Sequence, residues 1–590
     1  MRPPSLQNFY LEKPASLLLV IAIVSVFLWI GCGEFYTKGE PREASVSVSM
    51  IEKNQWILPE VYTDEFAYKP PLMHWMTAVF SLPGRDVTPF TSRLPSALAF
   101  LGVIVCSFLF FGRNLRMQEA FLAALILLTT FELHRAAMTA RVDMLLTFLI
   151  AWALFQLFRW EEQKKLNGFP WLIPLIMSLA VLTKGPVGIV LPLLVFGIYL
   201  LFLRYNFWKI IGKLFPLALV AMVLPLIWYG LAYHKEGKEF LDLVWAENFG
   251  RFFDINNLDI QYDLGHKKGW WYNGAMLATG FIPWTLLLLI SLFGLPYKRF
   301  PGIRSLGNSF IHTEKIKLFS AIAAIVIFVF YSVPASKRSV YLMPAFPFIS
   351  IFIAQFVLYL TEYKAKIVRI FAVIIGTIAC IISLIVLLTV MTQWINPVAL
   401  TTGIAKNAAW SVQFSALWQS LNFSGALASF LSGFLLIVLL FSIYILFKSF
   451  RKKLYLKTLY AIFGVYLSIF LMMDGVIFPA YKDAISIRPV AQKLTSHYPI
   501  SKDNLFVMNN LLEYDNMYGL NFYMHNNFRN FEKEAPAEGY FLIGSNNFKK
   551  VLQKYGVSYS FNFLEEFTNQ APDGEKIIQL YFFKKKQDSP

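Results

Sequence analysis

The tightest constraint in this chain is the recurrence of apolar runs close to twenty residues long, for example 90–112, 212–233 and 367–391. A helix needs about 20 residues to cross the hydrocarbon core of a bilayer. Within lipid, only helices and closed barrels leave no backbone group unpaired. Further runs lie at 15–33, 118–134, 140–158, 170–183, 186–203, 273–296, 314–334, 340–360, 423–447 and 455–475. The expected fold class is therefore an all-α polytopic membrane protein with about thirteen transmembrane helices. Composition agrees: 57% of the residues are hydrophobic and only 15% charged, against about 25% charged in a soluble domain. A soluble or disordered chain is excluded. The first run is long enough to remain as a span, and no small-x-small cleavage site follows it, so it is not read as a signal peptide.

The formal net charge of +17 would suggest nucleic acid in a soluble protein. Here the cations concentrate in alternate loops, such as Arg113 with Arg116, Arg204 with Lys209 and Lys213, and Arg451 with Lys452 and Lys453. That asymmetry marks the cytoplasmic side, and no nucleic-acid partner is expected. The N-terminus is then cytoplasmic, and an odd number of spans sends the C-terminus outside. Three larger segments fall on the outer face: 34–89, 234–272 and 476–590. The first contains an amphipathic stretch, Arg42 to Trp56, expected to lie along the interface. The last changes composition, with strand-like pieces at Asn504–Met508, Tyr540–Ile543 and Lys576–Phe583 and helical ones at Ala484–Ser496 and Phe548–Tyr555. Two units follow: a membrane domain over 1–475 and a small soluble α/β domain over 476–590. No inverted repeat of the kind common in secondary transporters is visible. Cys32, Cys106 and Cys380 sit in or beside apolar runs without a CxxC neighbour and read as packing residues.

The outward loops are poorer in charge, yet their charges stand at helix ends, where burial near the bilayer calls for a partner or a task. Glu40 and Arg42 flank Pro41, which starts a helix well. Glu40 suits the positive helix start, or equally a carboxylate that orients or deprotonates an acceptor. Arg42 offers a guanidinium for phosphate. Lys69 precedes Pro70-Pro71 and adds charge to a helix start, favouring an anion; snorkelling to lipid headgroups is the plainer alternative. His134-Arg135 and Arg141-Val142-Asp143 bracket one outer turn, where an Arg–Asp pair could simply neutralise a helix end. Lys184 stands before Gly185-Pro186 in another. Arg251 and His266 lie in the second outer segment. Lys337 and Arg338 stand at the mouth of a later span. There is no P-loop, GxGxxG, HExxH or G-x-S-x-G, and no Asp-x-Asp pair for a nucleotide-sugar. Outward cations with two acidic candidates suit a lipid-phosphate substrate.

The ordered set GEPREA, YKPPLMHW, TSRLPSAL, ARVDMLLTF, LTKGPVG, ENFGRFF, WWY, IPW and SKRSVYLMPAFP resembles the aminoarabinose transferase and protein O-mannosyltransferase superfamily, in particular its ArnT-like members. The resemblance implies the GT-C fold and a glycosyltransferase of the bacterial inner (plasma) membrane. Such enzymes take a sugar from a polyprenyl-phosphate donor on the periplasmic face and pass it to a lipid A-like acceptor. A protein O-glycosyltransferase of the same fold is the alternative. A transporter without enzyme activity is a second one, and it predicts charges deep within several spans. By this resemblance Glu40 and Asp143 take the catalytic positions. Arg42, Lys69, Lys184, Arg251, Lys337 and Arg338 take donor phosphate positions. The family's usual catalytic Asp is Gly39 here, so either Glu40 takes over or the acceptor needs no base. His266 matches a histidine of a divalent metal site, whose acidic partner is Tyr68 in this chain. No other cofactor is implied. Partners are the lipid-linked donor, a lipid, glycan or protein acceptor, and membrane lipids.

Overall fold

The computed structural model describes residues 4–63, 65–250, 267–294, 314–388, 426–508, 516–569, 571 and 574–586. Each of the expected spans coincides with a helical element. Among the described residues eight helices are long and apolar enough to cross a membrane. They include α4 (Pro89–Asn114), α7 (Val142–Lys164) and α10 (Phe207–Glu236). Two helix pairs pass the same test only together and are sharply bent: α5 (Met117–Leu128) with α6 (Phe131–Ala137) at 62°, and Tyr272–Gly280 with Trp284–Phe293 at 104°. The shorter apolar helices are the Pro14–Val26 part of α1 (Pro4–Val26), α8 (Leu172–Lys184) and α9 (Val187–Phe202). The pair α8 and α9 is two helices because Gly185 stands at φ +82°, a left-handed geometry that glycine adopts without strain. Pro186 then opens α9.

The last span does not stop at 475. Helix Tyr455–Met472 continues through a π-helical turn, Met473–Ile477, into helix Phe478–Ala484. Beyond it stands a five-stranded sheet of order β4-β3-β5-β7-β6. β3 (Leu505–Val507) runs parallel to β4 (Arg529–Asn530) and β5 (Glu538–Gly544). β7 (Ile577–Lys585) is antiparallel to both β5 and β6 (Tyr559–Thr568). Strand alternation sorts the side chains onto two faces. Phe506, Phe541, Ile543 and Phe583 pack with Val551 of helix Phe548–Tyr555. Leu505, Val507, Leu542, Ile578 and Leu580 pack on the other side.

Helix Tyr518–Tyr523, which joins the core on that second face, packs on the first outer segment. Helix α2 (Gly39–Glu52) places Val46 and Met50 in the same core as the sheet residues. α2 is thus not the interfacial helix expected from its amphipathic pattern. Its polar residues are buried too, because they have internal partners: Ser47 donates to the His74 carbonyl (3.1 Å) and Ser49 to that of Glu60 (2.6 Å). A short hairpin, β1 (Glu60–Val61) with β2 (Glu65–Phe66), follows, then α3 (Leu72–Ser81). Asn526 of the C-terminal region clamps this hairpin. Its amide donates to Ser49 Oγ (2.6 Å) and to the Glu60 carbonyl (2.9 Å), and its Oδ1 accepts from the Tyr62 N–H (3.0 Å).

Candidate functional site

The candidate residues fall into three neighbouring groups. In the first, Glu40 is fully buried against an equally buried arginine that the sequence reading passed over, Arg93 on the first turns of α4. Arg93 Nε donates to Glu40 Oε1 (2.9 Å), and its other nitrogens donate to the carbonyls of Ile30 (2.9 Å), Gly33 (3.1 Å) and Glu34 (2.8 Å). The Ala140 N–H also reaches Glu40 Oε1 (3.2 Å). Glu40 therefore ties α2, α4 and the turn before α7 together and is closed to solvent. The signal was present: a charged residue a few positions into an apolar span is costly unless paired.

The second group surrounds Lys69. Its ammonium donates to Glu43 Oε1 (2.6 Å), while Glu43 Oε2 shares a hydrogen bond with His74 Nε2 (2.7 Å). Glu43 is a further functional candidate missed in the sequence, one helical turn beyond Glu40. Burial opposes charge on both partners, but Lys69 and the His74 hydrogen bond hold the Glu43 carboxyl well below its ordinary range. Glu43 in turn raises Lys69 despite burial. Arg42 pairs at 4.0 Å with Glu65 and lies 5.3 Å over the Tyr518 ring. Glu65 accepts from Tyr518 (3.0 Å) and Asn516 (2.8 Å); its burial outweighs the pull of Arg42 and raises its carboxyl. The cavity among Arg42, Glu43, Tyr68 and Lys69 measures about 20 Å³. That is room for a water-sized group, not for a sugar ring. Cations and carboxylates balance here.

The third group does not balance. Asp143, in the first turn of α7, is buried and bonded to Lys184 at the end of α8. Lys184 also lies 4.2 Å over the Tyr341 ring. Arg141 and Arg338 both stand within electrostatic reach of Asp143. Among the described residues neither guanidinium has a carboxylate at ion-pair distance. Arg135 is also within electrostatic reach of Asp143 but is paired with Glu132 (2.7 Å), which leaves Lys184, Arg141 and Arg338 to share the Asp143 carboxylate among the described residues. Lys337, by contrast, is buried and turned to backbone, donating to the carbonyls of Pro334 (2.7 Å) and Lys268 (3.4 Å). It fixes the bridge between Lys267 and Ser336. The second and third groups meet through the π-helical turn Ala246–Gly250. Glu247 lies within electrostatic reach of Lys69, and Asn248 packs against Gly185 beside Lys184. Arg251 and His266 lie outside the described residues. Among the described residues no three His, Cys, Asp or Glu side chains converge on a metal position. Tyr68, which stands where the metal site's acid would be, lines the Lys69 cavity. The residues in view do not fit a divalent ion.

The comparisons with known proteins bear on this arrangement. A family model described as dolichyl-phosphate-mannose-protein mannosyltransferase matches residues 68–229. An undecaprenyl phosphate-alpha-4-amino-4-deoxy-L-arabinose arabinosyl transferase of Shewanella sediminis is 24% identical over 62% of this chain and 64% of its own length. An uncharacterized protein of Aquifex aeolicus is 27% identical over 58% of this chain and 64% of its own length. The chain thus matches less than two thirds of the length of these curated relatives. Among solved structures, ArnT from Cupriavidus metallidurans bound to undecaprenyl phosphate superimposes with a TM-score of 0.67. The match covers 97% of this chain and 98% of that one at 17% identity. Likeness over nearly the whole length gives the chain the fold of ArnT, and in sequence it is similar to the undecaprenyl phosphate arabinosyl transferases.

Proposed function

We propose that the protein is an integral membrane glycosyltransferase that moves a sugar from a polyprenyl-phosphate donor to a lipid A-like acceptor on the periplasmic face of the inner membrane. One observation carries the reading: the cations around Asp143 exceed the carboxylates, at helix ends on the side that charge asymmetry assigns to the periplasm. A site with surplus positive charge takes an anion, and a lipid phosphate presented from the bilayer meets it at that depth. The curated relative's name supplies the donor chemistry, an undecaprenyl phosphate-linked aminoarabinose.

In the transfer, an acceptor oxygen forms a bond to the anomeric carbon as the bond from that carbon to the donor phosphate oxygen breaks. The electron pair leaves with the polyprenyl phosphate, whose growing negative charge Lys184 and Arg338 stabilise. A phosphate acceptor is already ionised and gives up no proton. A hydroxyl acceptor would pass its proton to Asp143 or to water. Glu40 acts as a strut in this reading and Lys69 as a rim cation anchored by Glu43. The test uses purified protein, undecaprenyl phosphate-linked aminoarabinose and lipid A, following release of undecaprenyl phosphate and a mass gain on lipid A. Lys184→Ala should lower transfer at least a hundredfold with protein levels kept. Unchanged turnover in that variant would reject the assignment.

A further inference from the structure

Arg141 is held still by its backbone, and among the described residues its guanidinium has no carboxylate at ion-pair distance. Its backbone is extended (φ −146°, ψ 146°) just before α7. Its carbonyl accepts from Ser96 (3.2 Å), its N–H donates to the Thr139 carbonyl (3.0 Å), and the preceding N–H, of Ala140, is fixed by Glu40. The guanidinium is half-buried and faces Gly39. A Cβ built on that glycine would lie 3.5 Å from Nη2 and 3.6 Å from Nε. Asp143, on which Arg141 acts electrostatically, is already bonded to Lys184. A guanidinium presents five N–H donors in a planar fork that fits a phosphate through two parallel bonds. Leaving that fork without an acceptor in a partly desolvated site is costly.

From this juxtaposition we infer that Arg141 receives the charged group of the acceptor, and that the missing side chain at Gly39 keeps the guanidinium open for it. The inference rests on the transfer reading above and adds a specificity-determining residue to it. On one side of the site Lys184, from the end of α8, binds Asp143 and lies over Tyr341 of the Ser339–Ala345 turn; on the other, Arg141 adjoins Gly39 of α2 and Ser96 of α4. Two anions can therefore flank one carboxylate, the departing donor phosphate on the first side and the acceptor phosphate on the second.

The experiment separates the KM for donor from the KM for acceptor, using undecaprenyl phosphate-linked aminoarabinose with phosphorylated or dephosphorylated lipid A. Inorganic phosphate serves as a competitor that carries no lipid. Gly39→Asp gives Arg141 a carboxylate of its own. It should raise the KM for phosphorylated lipid A at least tenfold while the donor KM moves less than twofold. Gly39→Asn, of the same size without charge, should move it much less. In an Arg141→Ala background the effect of the aspartate should vanish. Inorganic phosphate should compete with the acceptor in the wild type and lose that competition in Gly39→Asp. Should Gly39→Asp fail to accumulate, Arg141→Lys, which loses the fork but keeps the charge, is read by the same split. The inference falls if donor and acceptor KM move together, if neither moves, or if dephosphorylated lipid A is affected equally. A wild-type protein that transfers nothing would sink the transfer reading first and this inference with it.

Discussion

Replacing Arg93 by methionine strips Glu40 of its counter-ion and three carbonyls of their donor. Four charge-assisted hydrogen bonds at about 1.5–3 kcal/mol each would sum to more than any single pair is known to contribute. The carbonyls of 30–34 lie near the outer surface and can turn to water, so the smaller figure for stranding a buried charge applies, about 3–5 kcal/mol. That corresponds to a roughly 150- to 5,000-fold shift toward the opened outer segment. Limited proteolysis of detergent-solubilised protein, cleaving within 34–89, reads it directly. Glu40→Gln is the informative companion. Glutamine keeps the Oε1 acceptor for Arg93 and loses the charge, so protease sensitivity should rise while turnover per folded molecule changes less than tenfold. A loss of a hundredfold or more in turnover with intact protease resistance would show that Glu40 does chemistry, and would refute the reading of it as a strut.

Other outcomes follow from the same geometry. Lys69→Ala should destabilise the protein by about 1–3 kcal/mol through the stranded Glu43 carboxylate, and Glu43→Ala added to it should recover most of that loss in a thermal melt. Asp143→Asn should lower the rate at least tenfold and weaken retention of Lys184's position, seen as a raised donor KM. His525 bonds Glu52 (2.9 Å), and that hydrogen bond raises the imidazole above its ordinary value against the opposing effect of burial. A raised pKa contributes stability that is complete below about pH 6.5 and is lost as pH climbs through the folded value. His525→Gln should therefore loosen the C-terminal region at pH 6 and leave it unaffected at pH 9, as measured by hydrogen exchange of α2.

The apolar helices and the C-terminal strands were legible because burial in lipid and strand pairing write long, periodic patterns. Helix Phe548–Tyr555 and β7 are near the segments read from the chain. The alternation of β6 is weaker, with a bulge between Phe563 and Glu565, and it was not foreseen. The site was half legible. Asp143, Lys184 and Arg338 do converge, and their common feature, a charge beside a helix-breaking turn, is visible in sequence. Glu40 and Lys69 were equally visible, but their partners Arg93 and Glu43 were not assigned, because pairing across 53 and 26 positions is a property of packing and not of spacing. Helix α2 misled for the same reason. Its serines look solvent-facing until α3, the hairpin and Asn526 from the other end of the chain cover them.

That covering has a temporal meaning. Glu34 meets Arg488, Tyr62 meets Asn526 and Glu65 meets Tyr518 across separations of 454, 464 and 453 residues. The floor of the cleft is threaded into the bilayer early in synthesis, and its lid arrives with the final strand. A ribosome-bound or truncated polypeptide would hold every charged residue around Asp143 yet leave the neighbouring hairpin unroofed, so docking of the tail becomes the last step in assembling the protein.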